Sequence, residues 1–256
     1  MPMAAQERVQ LQGFEFPARL EEVSVPALDA ASVHLWHANP LQHRALLPSL
    51  RSLLWSDEIE RGARFHFEGD REDFTFARGM VRSVLAAYLE VNPRDVRFRY
   101  SDHGRPSLVS AHGEEELRFN LSHTQGAVLL GICRGRAIGV DIERVREDFQ
   151  PQEIAARFFS LSEQQALMSL PEAEQRPAFF RCWTRKEAFL KARGHGLSHP
   201  LELFDVSIGA GENEVRLVTR PDPAEAQRWQ ILQPPAPGGY AAAVAVASSP
   251  GRTGER

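Results

Sequence analysis

The segment GVDIERV, residues 139–145, sets two acids two positions apart in an apolar run. Its alternation predicts a β-strand, in which side chains at i and i+2 share a face. Val140 and Ile142 then face a core, and Asp141 and Glu143 lie together on the other face. Like charges that close raise each other's pKa, so the pair calls for a cation beside it or a face left in water. A second segment, CWTRKEAFLK at residues 182–191, has helical spacing. Trp183, Glu187 and Lys191 stand at i, i+4 and i+8 along one face, with Lys186 beside that face. In FNLSH, residues 119–123, Ser122 and His123 sit at the end of a predicted strand, where a side chain reaches a ligand. GRP, residues 104–106, is a turn that carries a cation, Arg105.

Together these segments offer three carboxylates and an ammonium group. Magnesium takes oxygen ligands, commonly one or two carboxylates with substrate phosphates and water. A lysine beside such a site meets phosphate as a point charge. Taken alone, the helix residues fit an ordinary surface Glu–Lys pair better, and the strand acids fit a wetted sheet edge about as well. The lysines add weight to the joint reading. Lys and Arg total 30, yet Lys186 and Lys191 are the only lysines. Codon bias accounts for the arginines but not for two lysines five residues apart. Arginine does not replace a compact, movable ammonium, so lysine chemistry is expected here.

The elements that must hold these residues follow from periodicity. Residues 1–30 lack a clear period and read as an N-terminal extension. SVHLWHA (32–38) predicts the first strand, Ser56 a helix start, and the stretch from Asp70 to Asn92 a long helix ended by Asn92-Pro93. DVRFRY is a short strand. LRFNLSH (117–123) and AVLLGIC (127–133) predict a hairpin, with RAIGVDIE (136–143) as the next strand. Helices are expected over 151–158, from Ser162, and through RPAFFRCWTRKEAFLKARG. LFDVSI, EVRLVT, RWQIL and YAAAVAVA read as strands, and residues 249–256 as a disordered tail. Helices and strands mix without a βαβ rhythm, which predicts an α+β fold with antiparallel sheet.

Composition narrows the function classes. A formal charge of -4 gives no support to nucleic-acid binding. The longest small-apolar run, 241–247, is too short to span a bilayer, and the N-terminus has no signal-peptide pattern. Cys133 and Cys182 match no zinc or redox spacing and read as free thiols of a cytoplasmic protein.

GRP, FNLSH, GVDIE, FFSLSE and WTRKEAFLKARGHGL, in this order and at these intervals, resemble a 4'-phosphopantetheinyl transferase of the surfactin-synthetase type. The motifs cover roughly residues 61–197. The resemblance implies a monomer of two similar α+β halves, each a small antiparallel sheet packed with a long helix. The halves would span 31–136 and 137–248, joined near Arg136. It implies transfer of the 4'-phosphopantetheine arm from coenzyme A to a serine of an apo acyl or peptidyl carrier protein, releasing adenosine 3',5'-bisphosphate. By the same resemblance Asp141, Glu143 and Glu187 are magnesium ligands, and Glu187 and Lys191 are catalytic. Arg61, Arg105, Ser122, His123, Lys186 and Lys191 would contact coenzyme A, and the carrier would dock near 158–170 with Arg157 and Arg181 at its rim. A metal-dependent phosphodiesterase and a non-catalytic carrier-binding module are the alternatives.

Overall fold

The computed structural model describes residues 8–101, 104–109, 117–148, 150–194, 200–212 and 215–248. The expected disordered tail, 249–256, and motif residues 195–197 lie outside that set.

Strand alternation decides which way each sheet faces. In β6 (Ala127–Arg134), Val128, Leu130 and Ile132 join the core under the long helix α3 (Glu68–Leu89). Ala127, Leu129 and Cys133 of the same strand turn to the opposite face. β2 (Ser32–Ala38) divides likewise, with Trp36 and Ala38 toward α3 and Val33 and Leu35 away from it. β6 pairs antiparallel with β2 and with β5 (Leu117–Thr124). β1 (Gln10–Glu15) adds in parallel to β2, giving the order β1-β2-β6-β5.

The second sheet is antiparallel, in the order β10 (Trp229–Leu232), β11 (Tyr240–Ala247), β7 (Ile138–Arg144). Ile138, Val140 and Ile142 of β7, with Ala242, Val244 and Val246 of β11, meet Val33, Leu35 and Leu129 of the first sheet. The other face of this sheet is covered by α6 (Glu172–Arg193), which shares a core with Ala241, Ala243 and Ala245. The layers therefore run α3, sheet, sheet, α6, and each half is an α+β unit with its own sheet and long helix. Shorter elements flank them. α1 (Leu47–Leu53), α2 (Ser56–Ala63) and the hairpin of β3 (Phe98–Tyr100) and β4 (Pro106–Leu108) belong to the first half. α4 (Pro151–Phe158), α5 (Leu161–Met168) and the hairpin of β8 (Phe204–Val206) and β9 (Leu217–Thr219) belong to the second.

Two local expectations change. Residues 10–28 are not a loose extension: β1 extends the sheet, and Phe16 and Leu28 are buried in the α3 core. Val9 and Leu11 pack toward the inter-sheet core while Phe14 and Phe16 pack toward α3, so the apolar pattern changes phase along a strand covered on both faces. α5 starts one residue earlier than expected, because Ser160 rather than Ser162 caps it. The Ser160 hydroxyl accepts from Glu163 N at 3.3 Å, and the Glu163 carboxylate accepts from Ser160 N at 3.0 Å.

Small residues on the α6 side of the second sheet let the helix come close. Gly139, Asp141 and Glu143 share that face of β7, opposite Ala245, Ala243 and Ala241 of β11. A Cβ on Gly139 would stand 2.1 Å from the Ala188 carbonyl oxygen and 2.3 Å from Ala192 N, both backbone atoms of α6. Neither can swing aside as a side chain does. Gly139→Ala must push α6 off the sheet, and a loss of about 1–3 kcal/mol or more is expected in urea unfolding. Gly13→Ala, on β1 with nothing within 4 Å of its added Cβ, is the control and should be neutral or slightly stabilising.

Candidate active site at the seam of the two halves

β7 is the edge strand of its sheet, and the first half supplies partners for that edge. The Asn120 side-chain oxygen accepts from Val140 N at 2.8 Å, and Ser122 Oγ accepts from Ile142 N at 3.3 Å. Both are β5 residues at i and i+2, so they share one face. Ser122 Oγ donates in turn to Asp141 Oδ1 at 2.9 Å, and Thr124 Oγ1 donates to Glu143 Oε2 at 3.3 Å. The two acids of β7 are thus held from the first-half side by two hydroxyls of β5.

α6 closes the site from the other side. Lys191 Nζ lies 2.6 Å from Asp141 Oδ1 and donates to Ser122 Oγ at 3.0 Å. This is the cation that the paired acids require. Four residues apart, Glu187 and Lys191 lie about 40° apart around the helix axis. Burial, and then the charges of Asp141 and Glu143, push the Glu187 carboxyl up to about 7, against the opposing pull of Lys191. Glu143 is likewise raised, by burial first and Asp141 second. Among the described residues, Asp141 Oδ2 and Glu187 Oε1 are both buried without a hydrogen-bond partner. Unpartnered buried carboxylate oxygens are costly and suit a hard cation. Among the described residues no three His, Cys, Asp or Glu side chains already stand in a metal-ligating group. The oxygen donors are nonetheless of the kind a hard divalent cation takes, while in this arrangement Lys191 holds Asp141.

His123 follows Ser122 on β5 and alternates to the other side of the strand. Its outer surface is exposed, yet protein crowds the ring. Lost solvation and then the Lys191 charge lower its pKa, which keeps the imidazole neutral near pH 7. Arg61 is exposed on α2, with its guanidinium 5.9 Å from the Tyr100 ring centroid. A Cβ at Gly104 would lie 3.7 Å from that guanidinium, so Arg61 stands beside the turn that carries Arg105. An open cavity lined by Asp57, Glu58, Arg61, Arg64 and Tyr100 adjoins it.

Residues 36–133 match the family model described as "4'-phosphopantetheinyl transferase, N-terminal", and residues 137–245 match the "4'-phosphopantetheinyl transferase superfamily" model. The 4'-phosphopantetheinyl transferase HetI of a Nostoc species is 39% identical over 215 residues, covering 84% of this chain and 87% of its own. The chain belongs to the 4'-phosphopantetheinyl transferase superfamily. Two further members, ffp and Sfp of Bacillus subtilis, are 35% and 29% identical over 62% and 70% of the chain and cover 68% and 78% of their own lengths. The protein is thus a phosphopantetheinyl transferase whose acceptor is a carrier protein.

Of the two lysines in this transferase, only Lys191 reaches the cluster. Lys186 is fully buried, and its ammonium donates to Glu163 Oε1 at 2.7 Å and to the Phe204 carbonyl at 2.6 Å. It also stands 4.2 Å from the Phe204 ring centroid. Five residues is about 140° of helix, which takes Lys186 away from the Glu187–Lys191 face. The expected contact with coenzyme A is corrected on this ground: Lys186 ties α6 to α5 and β8. Glu163 also accepts from Val206 N at 2.8 Å and from Ser160 N, so one buried carboxylate serves three elements. Asn120, Thr124 and Glu163 were not expected from the sequence. The signal for Asn120 and Thr124 was available, since both stand two residues from Ser122 on one strand face.

Removing one member of a buried pair strands the other charge. Lys186→Met is expected to lose about 3–5 kcal/mol in urea unfolding, with part recovered in Lys186→Met/Glu163→Gln. The raised Glu187 pKa has the opposite sign. Between its ordinary value of 4.5 and about 7 the folded state holds a proton that the unfolded state has lost. Stability from this group is full below pH 4.5 and is lost as pH rises through about 7. In thermal melts without divalent cations, Glu187→Gln should raise Tm at pH 8 and leave it unchanged near pH 4.

Proposed function

We propose that the chain moves the 4'-phosphopantetheine arm of coenzyme A onto a serine hydroxyl of an apo acyl or peptidyl carrier protein, with magnesium held by Asp141, Glu143 and Glu187. The observation that carries this reading is the two buried, unpartnered carboxylate oxygens of Asp141 and Glu187 beside the Lys191 ammonium. Bound magnesium would relieve the negative charge of the pyrophosphate as its bond breaks.

The protein groups have separate tasks. A serine is a poor nucleophile at neutral pH and needs a base. Glu187 takes the serine proton as the serine oxygen bonds to the β-phosphorus of coenzyme A. The bond from that phosphorus to the oxygen of adenosine 3',5'-bisphosphate breaks, and the bisphosphate leaves. Lys191 offsets the charge growing on the leaving phosphate. His123 meets the pyrophosphate, with Ser122 beside it on β5, and the exposed Arg61 meets the 3'-phosphate. A shallow apolar groove lined by Ile154, Phe179, Phe180 and Trp183 opens at Glu143 and Arg146, which supports docking of apolar carrier side chains beside the carboxylates. On the 158–170 face, Leu161 and Met168 are exposed apolar residues of α5. The exposed Arg157 supplies the cationic rim there; Arg181 is partly buried and donates to the Ile208 carbonyl at 3.1 Å, which leaves it less to offer.

A monomer suffices, because β5, β7 and α6 of one chain supply the whole cluster. Cys133 and Cys182 are free and buried, which fits a reducing, cytoplasmic setting. No helix among the described residues is long and apolar enough to cross a membrane.

Incubation with coenzyme A, magnesium and an apo carrier protein, read by intact mass, is the test. The carrier should gain one phosphopantetheine, and chelation should abolish the gain. Binding without a mass change would leave a carrier-binding module, and hydrolysis of nucleic acid or phosphodiesters would favour the phosphodiesterase. Glu187→Gln should weaken magnesium binding and lower kcat together. Lys191→Arg keeps the charge on a bulkier planar group, and kcat should fall by one to two orders of magnitude, roughly 1.4–2.8 kcal/mol of barrier. A silent Lys191→Arg would remove lysine chemistry from the mechanism.

A further inference from the structure

Arg105 is expected from the family resemblance to meet the nucleotide of coenzyme A, but its guanidinium has other partners. One NH group donates to the Lys191 carbonyl and the other to the Ile138 carbonyl at 2.7 Å. Lys191 belongs to the last turn of α6, where carbonyls lack helical partners. Gly194 ends that helix in a left-handed conformation, with its N–H on the Leu190 and Lys191 carbonyls, and a Cβ there would lie 3.7 Å from the same Arg105 nitrogen. A cation at a helix C-terminus is favourable by charge as well as by hydrogen bonding. Ile138 lies on the edge of β7 that also offers Val140 N and Ile142 N to Asn120 and Ser122. Arg105, Asn120 and Ser122 thus dress positions 138, 140 and 142 in order along one strand edge.

The turn that delivers Arg105 is itself pinned. Gly104 takes φ +73, its N–H meets the Ser101 carbonyl at 2.7 Å, and Arg105 N reaches Ser101 Oγ at 3.2 Å. The backbone of Ser101 returns a bond to the Arg105 carbonyl at 3.0 Å. The fork is therefore presented from a fixed base. It joins the residue that carries the catalytic ammonium to the strand that carries Asp141.

We propose that Arg105 is a positioning residue: it clasps the C-terminal turn of α6 to the edge of β7 and so sets Lys191 against Asp141, rather than acting as a cation for coenzyme A. This rests on the transferase reading for its kinetic arm alone. A guanidinium spans two carbonyls that a single ammonium cannot satisfy in the same geometry.

The test uses Arg105→Lys and Arg105→Gln in the full chain, with steady-state kinetics against coenzyme A and amide hydrogen exchange of the free protein. A clasp predicts that kcat falls about tenfold or more in both variants, with the coenzyme A KM changed less than about threefold. It also predicts faster exchange confined to the end of α6 and to β7, and partial recovery of kcat in Arg105→Ala on adding methylguanidinium. A KM rise of about tenfold in Arg105→Gln with kcat intact and exchange unchanged would make Arg105 a ligand cation and overturn the proposal. Full activity of Arg105→Lys, or faster exchange throughout the chain, would overturn it as well. If the parent chain transfers no phosphopantetheine, the function reading fails, and the exchange arm still decides whether the clasp exists.

Discussion

The approach of α6 to β7 at Gly139 governs the rest of the site. An α-helix cannot normally bring its backbone against a strand, because the strand's side chains keep it away. Here one strand residue has no side chain, and the α6 backbone at Ala188 and Ala192 fills the space. Each of those two alanines follows a residue of the cluster: Glu187 comes just before the first and Lys191 just before the second. Asp141 and Glu143 lie two and four residues beyond Gly139 on the same strand face. Close contact at one end of that face therefore forces acids and ammonium together at the other.

A second constraint comes from hydrogen bonding at the sheet edge. β7 has a neighbour, β11, on one side only, and buried N–H groups on the other side need partners. A further strand would satisfy them but would separate the two halves of the site. Asn120 and Ser122 satisfy Val140 and Ile142 with side chains instead, so the first sheet meets the second across a polar seam. Ser122 then has a double task. Its hydroxyl accepts from the β7 backbone and from Lys191, and it gives its one proton to Asp141.

Much of this was legible in the sequence, and the exceptions have physical causes. The strand over 32–38, the hairpin over 117–133 and the shared face of Asp141 and Glu143 follow from simple alternation, which the structure reproduces. β1 was missed because a strand covered on both faces has no single apolar phase. Lys186 and Lys191 looked like a pair because they are near in sequence, yet helical geometry turns them onto different faces. One holds a buried carboxylate in the second core, and the other holds the site. The scarcity of lysine marked both, but it could not separate an ammonium buried in the core from one at the carboxylate cluster. The partners of Arg105 were not legible either, since backbone carbonyls leave no trace in side-chain identity.

The cluster is assembled against its own electrostatics. Three carboxylates converge with a single ammonium in contact, and the mismatch appears as raised pKa values at Glu143 and Glu187. A fold selected for stability alone would replace one acid with an amide or an apolar group. Packing supplies the opposing force: the inter-sheet core, the α6 core and the Gly139 contact hold the acids in place whether or not they are neutralised. A divalent cation at this seam would relieve repulsion already present, an advantage that an exposed set of the same acids would lack. The raised Glu187 pKa has the same origin: burial first, then the charges of Asp141 and Glu143, which the packing holds beside it.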